Sequence, residues 1–134
     1  MFLDENRLSA LQKSVNKAMR IVLSARYDTS IKFMLDSLKI LSLKKRIKLN
    51  CLRFIHRIIT RGLPHFLSSK FVRRNSNRQR QLRNDHEYTL PNWRLNKSKK
   101  SMFYEGVRMY NEVINMNNEL SFNKNAINYI KSLN

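Results

Sequence analysis

SLKKRIKLNCLRFIHRIITRGLP, residues 42–64, reads as a helix with its own start and stop. Ser42 stands where an N-cap would stand, its hydroxyl suited to the first unpaired amides of a helix. Leu43, Ile47, Cys51, Phe54, Ile55 and Ile58 then recur at helical spacing and line one face. Arg46, Arg53, Arg57 and Arg61 fall in a narrow stripe on the opposite face, at steps of 7, 4 and 4. Gly62 and Pro64 follow, a common stop signal. Such a helix buries one side and offers a row of cations on the other. Cys51 lies on the apolar side and reads as core filler rather than as a nucleophile.

The flanks repeat the pattern. Asp4 and Glu5 suit the positive end of a helix dipole, and Leu8, Leu11, Val15, Ala18 and Val22 continue as one stripe to about Leu23. Ser30 is a plausible cap for a short helix over 31–38, and 65–71 reads as one further turn. From residue 70 to 100 the periodicity vanishes and Asn, Ser and Gln become frequent, as in loops. Within it Tyr88, Thr89 and Leu90 precede Pro91 and suit a short edge strand, with Leu82 as a candidate partner in a small hairpin. Helical spacing returns with Ser101 as cap and Phe103, Val107, Tyr110 and Ile114 as stripe, Gly106 weakening the helix slightly. Ser121 reads as the cap of a terminal helix with Phe122, Ala126, Ile130 and Leu133. The expectation is a mainly α fold: a small bundle of about four to five helices, with an irregular Arg-rich loop and room for a short β-hairpin. It is read as a single domain over 1–134, helical over 4–69, a basic loop over 70–100, and helical again over 101–134.

Composition narrows the function. The chain has 134 residues, with 27 Lys and Arg against 9 Asp and Glu, a net charge of +18. Residues 41–100 hold seventeen of the cations and two of the acids, whereas residues 101–134 hold three of each. A charge this large speaks to polyanionic partners. Two Gly exclude a glycine-rich phosphate cradle, and one Cys excludes a disulfide framework and leaves a zinc knuckle short of thiolates. The opening MFLDENRL does not read as a signal peptide, and no run of some 18 apolar residues suits a membrane span. The expected location is intracellular, in cytoplasm or nucleus, with Cys51 reduced. His56 lies four residues before Thr60 without an orienting acid, and Asp85, His86 and Glu87 are adjacent, a poor geometry for one ion. No paired carboxylates suit two-metal chemistry. The reading is therefore not an enzyme, with no metal and no cofactor.

The basic loop carries the strongest physical signal. Lys70, Arg73, Arg74, Arg78, Arg80, Arg83, Arg94, Lys97, Lys99 and Lys100 fall within it, Arg outnumbering Lys. The planar guanidinium matches phosphate bidentately. Tyr88 and Trp93 interleave with these charges as surfaces on which bases could stack, Trp93 being equally suited to a core. Tyr110, on its helical stripe, reads as core. The Arg46, Arg53, Arg57 and Arg61 stripe is a secondary basic surface, also compatible with the plain wet side of a helix. The expected partners are RNA or DNA, which residue types alone do not separate. A scaffold role, with helices docking another protein, is the alternative; membrane binding by the basic amphipathic helix is the weaker one.

Several stretches together resemble the C-terminal region, downstream of the polymerase core, of jockey-like non-LTR retrotransposon reverse transcriptases. LQKSVNKAMRIVL (11–23) is similar to that group's LQ…Q-x-x-A-x-R-x-I helix. LKILSLKKRIKLNCLRFIHRIITRGLPHFLS (38–68) resembles its L-x-x-L-x-x-R…G-x-P-x-Y-L segment. LRNDHEYTLPNWR (82–94) is similar to its Arg-rich loop. KKSMFYEGVRMYNEV (99–113) is similar to the recurring K-S-x-x-x-x-G-x-x-x-[YW]-N-x-L-P, and SFNKNAINYIKSL (121–133) to the closing helix. The family's Leu-Pro after the Asn is Val113-Ile114 here, so that helix can run on. The polymerase fingers, palm and thumb, their metal-binding aspartates, the endonuclease and the downstream Cys/His knuckle have no counterpart. The resemblance implies an accessory nucleic-acid-binding region beside the polymerase portion of a retroelement polyprotein, or the remnant of such an element.

Overall fold

A computed structural model describes residues 4–62, 64–74, 87–90, 101–116 and 121–133. Over these the chain is mainly helical, as expected: α1 (Glu5–Leu23), α2 (Ile31–Ser37), α3 (Leu43–Arg61), α4 (His65–Ser68), α5 (Met102–Asn115) and α6 (Phe122–Ser132). Read from sequence as one domain, the chain gathers into two compact units, residues 1–47 and 48–134, the division falling within α3.

In residues 1–47, α1 packs against α2. α1 stops where Ser24 turns left-handed at φ 48° and the amides of Ser24 and Ala25 reach back to the carbonyls of Ile21 and Arg20. Ser30 caps α2 as read, its Oγ accepting from the Phe33 amide at 3.2 Å. The buried face of α1 follows the expected stripe only in part. Leu8 is buried as expected and Val15 half-buried, whereas Leu11 and Val22 are 49% and 70% exposed and Ala18 is exposed. Met19, one turn after Val15 and outside the expected stripe, is buried instead. The helix is apolar over a wide arc, and α2 is too short to cover it all.

Residues 48–134 are built around α5. Gly106, Val107, Met109, Tyr110, Asn111 and Val113 are all buried, spread over more than half of its circumference. Ser101 caps it, accepting from the Tyr104 amide at 3.3 Å. Gly106 faces α3. A Cβ there would overlap Ile55 Cδ1 and come within 2.9 Å of Cys51 Sγ. The glycine that costs helix propensity therefore lets two helices approach closely. Cys51 is buried there, as its place on the stripe suggested, and burial pushes its thiol up to about 11, with help from Glu105. On α3 the buried set is Leu49, Cys51, Leu52, Ile55 and Ile58, and Phe54, expected inside, is 40% exposed. The face is centred on the residues that meet Gly106, which leaves Phe54 at its edge. Gly62, at φ 65°, ends α3 with its amide on the Ile58 carbonyl, as read. α6 packs against α5 as well, burying Asn125, Ala126, Tyr129 and Ile130, and the Tyr129 hydroxyl donates to the Glu112 carboxylate; Ser121, expected as its cap, makes no side-chain capping bond.

The close approach makes a quantitative prediction. Gly106→Ala gains about 1 kcal/mol of helix propensity but overpacks the contact by about 1–3 kcal/mol, so chemical denaturation should show a net loss of about 1 kcal/mol. Ile55→Val removes the overlapping Cδ1. The double variant should therefore be clearly more stable than additivity of the two single losses allows; strict additivity would mean that the two helices do not meet there.

Candidate nucleic-acid interface

Two basic surfaces lie within residues 48–134. The first is a neck. Arg73 and Tyr88 form an antiparallel bridge, flanked by Arg74 N–H to Glu87 C=O at 3.0 Å and Thr89 N–H to Val72 C=O at 2.8 Å. The extended segment expected at Tyr88 thus pairs with Arg73; Leu82, its expected partner, lies outside the described residues. The neck is fastened to α5 chiefly by the side chain of Asn111. Asn111 Oδ1 accepts the Tyr88 amide at 2.9 Å, and Asn111 Nδ2 donates to the Tyr88 carbonyl at 2.9 Å. A buried amide meeting both groups of one peptide residue satisfies four polar valences at once. Asn115 Nδ2 adds a bond to Glu87 Oε1 at 2.9 Å.

This geometry reassigns some of the sequence-derived residues. Tyr88, read as a stacking surface for bases, is 5% exposed, its ring edge-on to Phe71 and Tyr110. It belongs to the core, because its own backbone is what Asn111 holds. Arg74 pairs with Glu87 at 3.0 Å, so its guanidinium also serves the neck. Arg73 is exposed; its Nε donates to the Tyr88 hydroxyl at 3.4 Å and its guanidinium lies 5.8 Å from that ring's centroid. Lys70 is exposed. Arg78, Arg80, Arg83, Trp93, Arg94, Lys97, Lys99 and Lys100, with Asp85 and His86, lie outside the described residues.

The second surface is the α3 stripe. Arg53, Arg57 and Arg61 are all exposed, and among the described residues none pairs with a carboxylate. Arg46 is exposed too and belongs to residues 1–47. The three arginines line an open groove of about 360 Å³ with His56, Thr60 and Asn123. Asn123 comes from the first turn of α6, whose dipole adds positive potential at that end. His56 lies face to face with Phe122, centroids 3.9 Å apart and planes within 8°. Its Nδ1 is 3.2 Å from the Tyr110 hydroxyl. Burial pushes Tyr110 up to about 12, so its hydroxyl keeps its proton and shares a hydrogen bond with that ring nitrogen. Burial also lowers the His56 pKa below its ordinary value, so the ring is neutral at pH 7. Thr60, considered as a partner for His56, instead donates to the His56 backbone carbonyl at 2.7 Å.

The two surfaces are linked through rings: Tyr88 and Tyr110 have centroids 5.8 Å apart, with Arg73 bonded to one and His56 to the other. Sequence reasoning missed Asn111, Asn123 and the ring contacts of His56. Asn111 carried a usable signal, since a polar amide in phase with the apolar positions of a helix is either misplaced or bonded. Among the described residues no group of three His, Cys, Asp or Glu could hold a metal ion. No family model, curated protein or solved structure matches the chain.

Asn111→Ala should strand the Tyr88 amide and carbonyl, at a cost of about 2 kcal/mol in urea unfolding. Hydrogen exchange at Tyr88 should rise well beyond the global change. Unaltered protection at that amide would show that the side chain does not hold the neck.

Proposed function

We propose that the chain binds nucleic acid through a phosphate-directed basic surface, with no sequence code. The observation that carries this reading is the face of α3, where Arg53, Arg57 and Arg61 stand exposed around one groove and, among the described residues, without carboxylate partners. Side chains in such a row repel each other and stabilise the fold little; a polyanion relieves the repulsion and releases its own counterions. Arg73 and Lys70 extend the surface at the neck, and the cations of residues 75–100 add charge to the same unit. In keeping with the resemblance of its motifs, we read the chain as an accessory region of the post-polymerase part of a non-LTR retrotransposon reverse transcriptase, without catalysis of its own.

One observation favours a second reading for residues 1–47. Leu11, Ile21, Val22, Tyr27 and Phe33 are all large apolar side chains exposed by 49–90%. It supports docking of this unit to another protein, such as the polymerase portion, beside nucleic-acid binding by the other unit. Among the described residues no helix is long and apolar enough to cross a membrane.

Fluorescence anisotropy against RNA and DNA should show saturable binding at about 50 mM salt. With roughly five phosphates contacted, log K should fall against log[salt] with a slope of about −3.5 to −4.5. Charge reversal at Arg73, Arg78 and Arg80 to Glu should weaken all sequences alike. Absence of saturable binding at that salt would remove the proposal.

A further inference from the structure

The α3–α6 groove is dominated by cationic donors. Arg53, Arg57 and Arg61 supply guanidinium N–H groups, with the Asn123 amide and the His56 ring beside them, while the Thr60 hydroxyl gives its proton to the His56 carbonyl. Among the described residues no carboxylate lines it. A donor-rich, cationic groove suits a group that only accepts hydrogen bonds and carries negative charge, and phosphate is that group.

The arginines also have a spacing. They recur every fourth residue on one helix, so each step advances about 6 Å along the axis. That is close to the step between neighbouring phosphates on one nucleic-acid strand. One guanidinium can therefore meet one phosphate in turn, along a strand that runs with the helix.

Among the described residues the groove offers no free aromatic face directed at a base. Proteins that grip single strands combine cations with rings on which bases stack. The ring in this groove, His56, is already stacked on Phe122. Tyr110, behind it, is 5% exposed. Phe54, the exposed ring on α3, is not among the residues lining the groove. A duplex turns its phosphates outward and keeps its bases inside, so it asks for what this groove supplies. A single strand forfeits the stacking half of its affinity there.

Resting on the proposed nucleic-acid binding, we infer that the α3–α6 groove is a site for the phosphate backbone of a duplex, engaged by Arg53, Arg57 and Arg61 on consecutive phosphates of one strand. The site reads no base edges. It positions a double-stranded segment, while single-stranded contacts fall to residues outside the groove.

The test uses the full chain and two labelled probes of about 20 nucleotides, a duplex and one of its strands, titrated by anisotropy at several salt concentrations. The Arg53→Gln, Arg57→Gln, Arg61→Gln variant changes only exposed side chains, and its circular dichroism melt serves as the folding control. Duplex binding should be tighter than single-strand binding in the unaltered chain. The triple variant should flatten the duplex salt slope by about 2 to 3, at ~0.9 per phosphate released. Arg57→Gln alone should flatten it by about 1, which keeps the test open even if the triple variant folds poorly. An unchanged duplex slope, with binding otherwise intact, would overturn the groove as the site and leave the broader proposal standing on the neck and residues 75–100. Tighter single-strand binding that falls equally in the triple variant would overturn the duplex assignment. Failure of the unaltered chain to bind either probe would overturn both proposals. Vesicles of phosphatidylserine and phosphatidylcholine competing at equal phosphate concentration would overturn the assignment to nucleic acid.

Discussion

The approach of α5 to α3 at Gly106 sets the geometry on which the basic surface depends. With no side chain at that position, Ile55 and Cys51 lie directly over the α5 backbone. This turns α3 so that its Ile55 side is enclosed. An amphipathic helix held by one side has no choice about the other: Arg53, Arg57 and Arg61 must face water. The exposed cations are thus a consequence of packing as much as of composition. The same approach brings Tyr110 to His56 and so fixes the floor of the groove, with Phe122 of α6 closing it.

Four residues of one short stretch divide this work. Ser101 starts α5 with a capping bond, Gly106 admits α3, Tyr110 packs between the rings of His56, Tyr88 and Phe122, and Asn111 grips the Tyr88 backbone. All four fall within KSMFYEGVRMYN, residues 100–111. In this chain each of them has an architectural task, and none reaches the groove as a ligand-facing group. That separation has a physical logic. Spacing-dependent positions hold helices and a neck in register, whereas phosphate binding tolerates cations at many positions and so leaves a looser sequence trace.

Local signals were legible. Ser30 and Ser101 act as caps, Gly62 stops α3, and the helix boundaries follow the apolar spacing closely. What the sequence did not reveal was rotation about each helix axis. α1 and α3 are apolar over wider arcs than a single stripe, so Leu11, Val22 and Phe54 were as eligible for the core as Leu8, Met19 and Leu52. Only the partner helix decides among them. The candidate site shows the same division. The α3 arginines could be read directly, because their stripe needs nothing but helical geometry. Tyr88 could not, because a tyrosine among arginines looks like a stacking surface until the Asn111 clamp is seen. Asn123 could not either, since it reaches the groove from a helix some sixty residues on.

A glycine contact between two helices holds outward a row of guanidiniums that have no carboxylate partner among the described residues, and the proposed occupant of that row is a nucleic-acid backbone. The most direct measurement observes those groups themselves. In ¹⁵N-labelled protein, the Nε–Hε resonances of Arg53, Arg57 and Arg61 should shift and sharpen as duplex is added, ahead of those of Arg26 and Arg108, which already hold carboxylates. Saturation of the complex with the three α3 resonances unmoved would contradict the account.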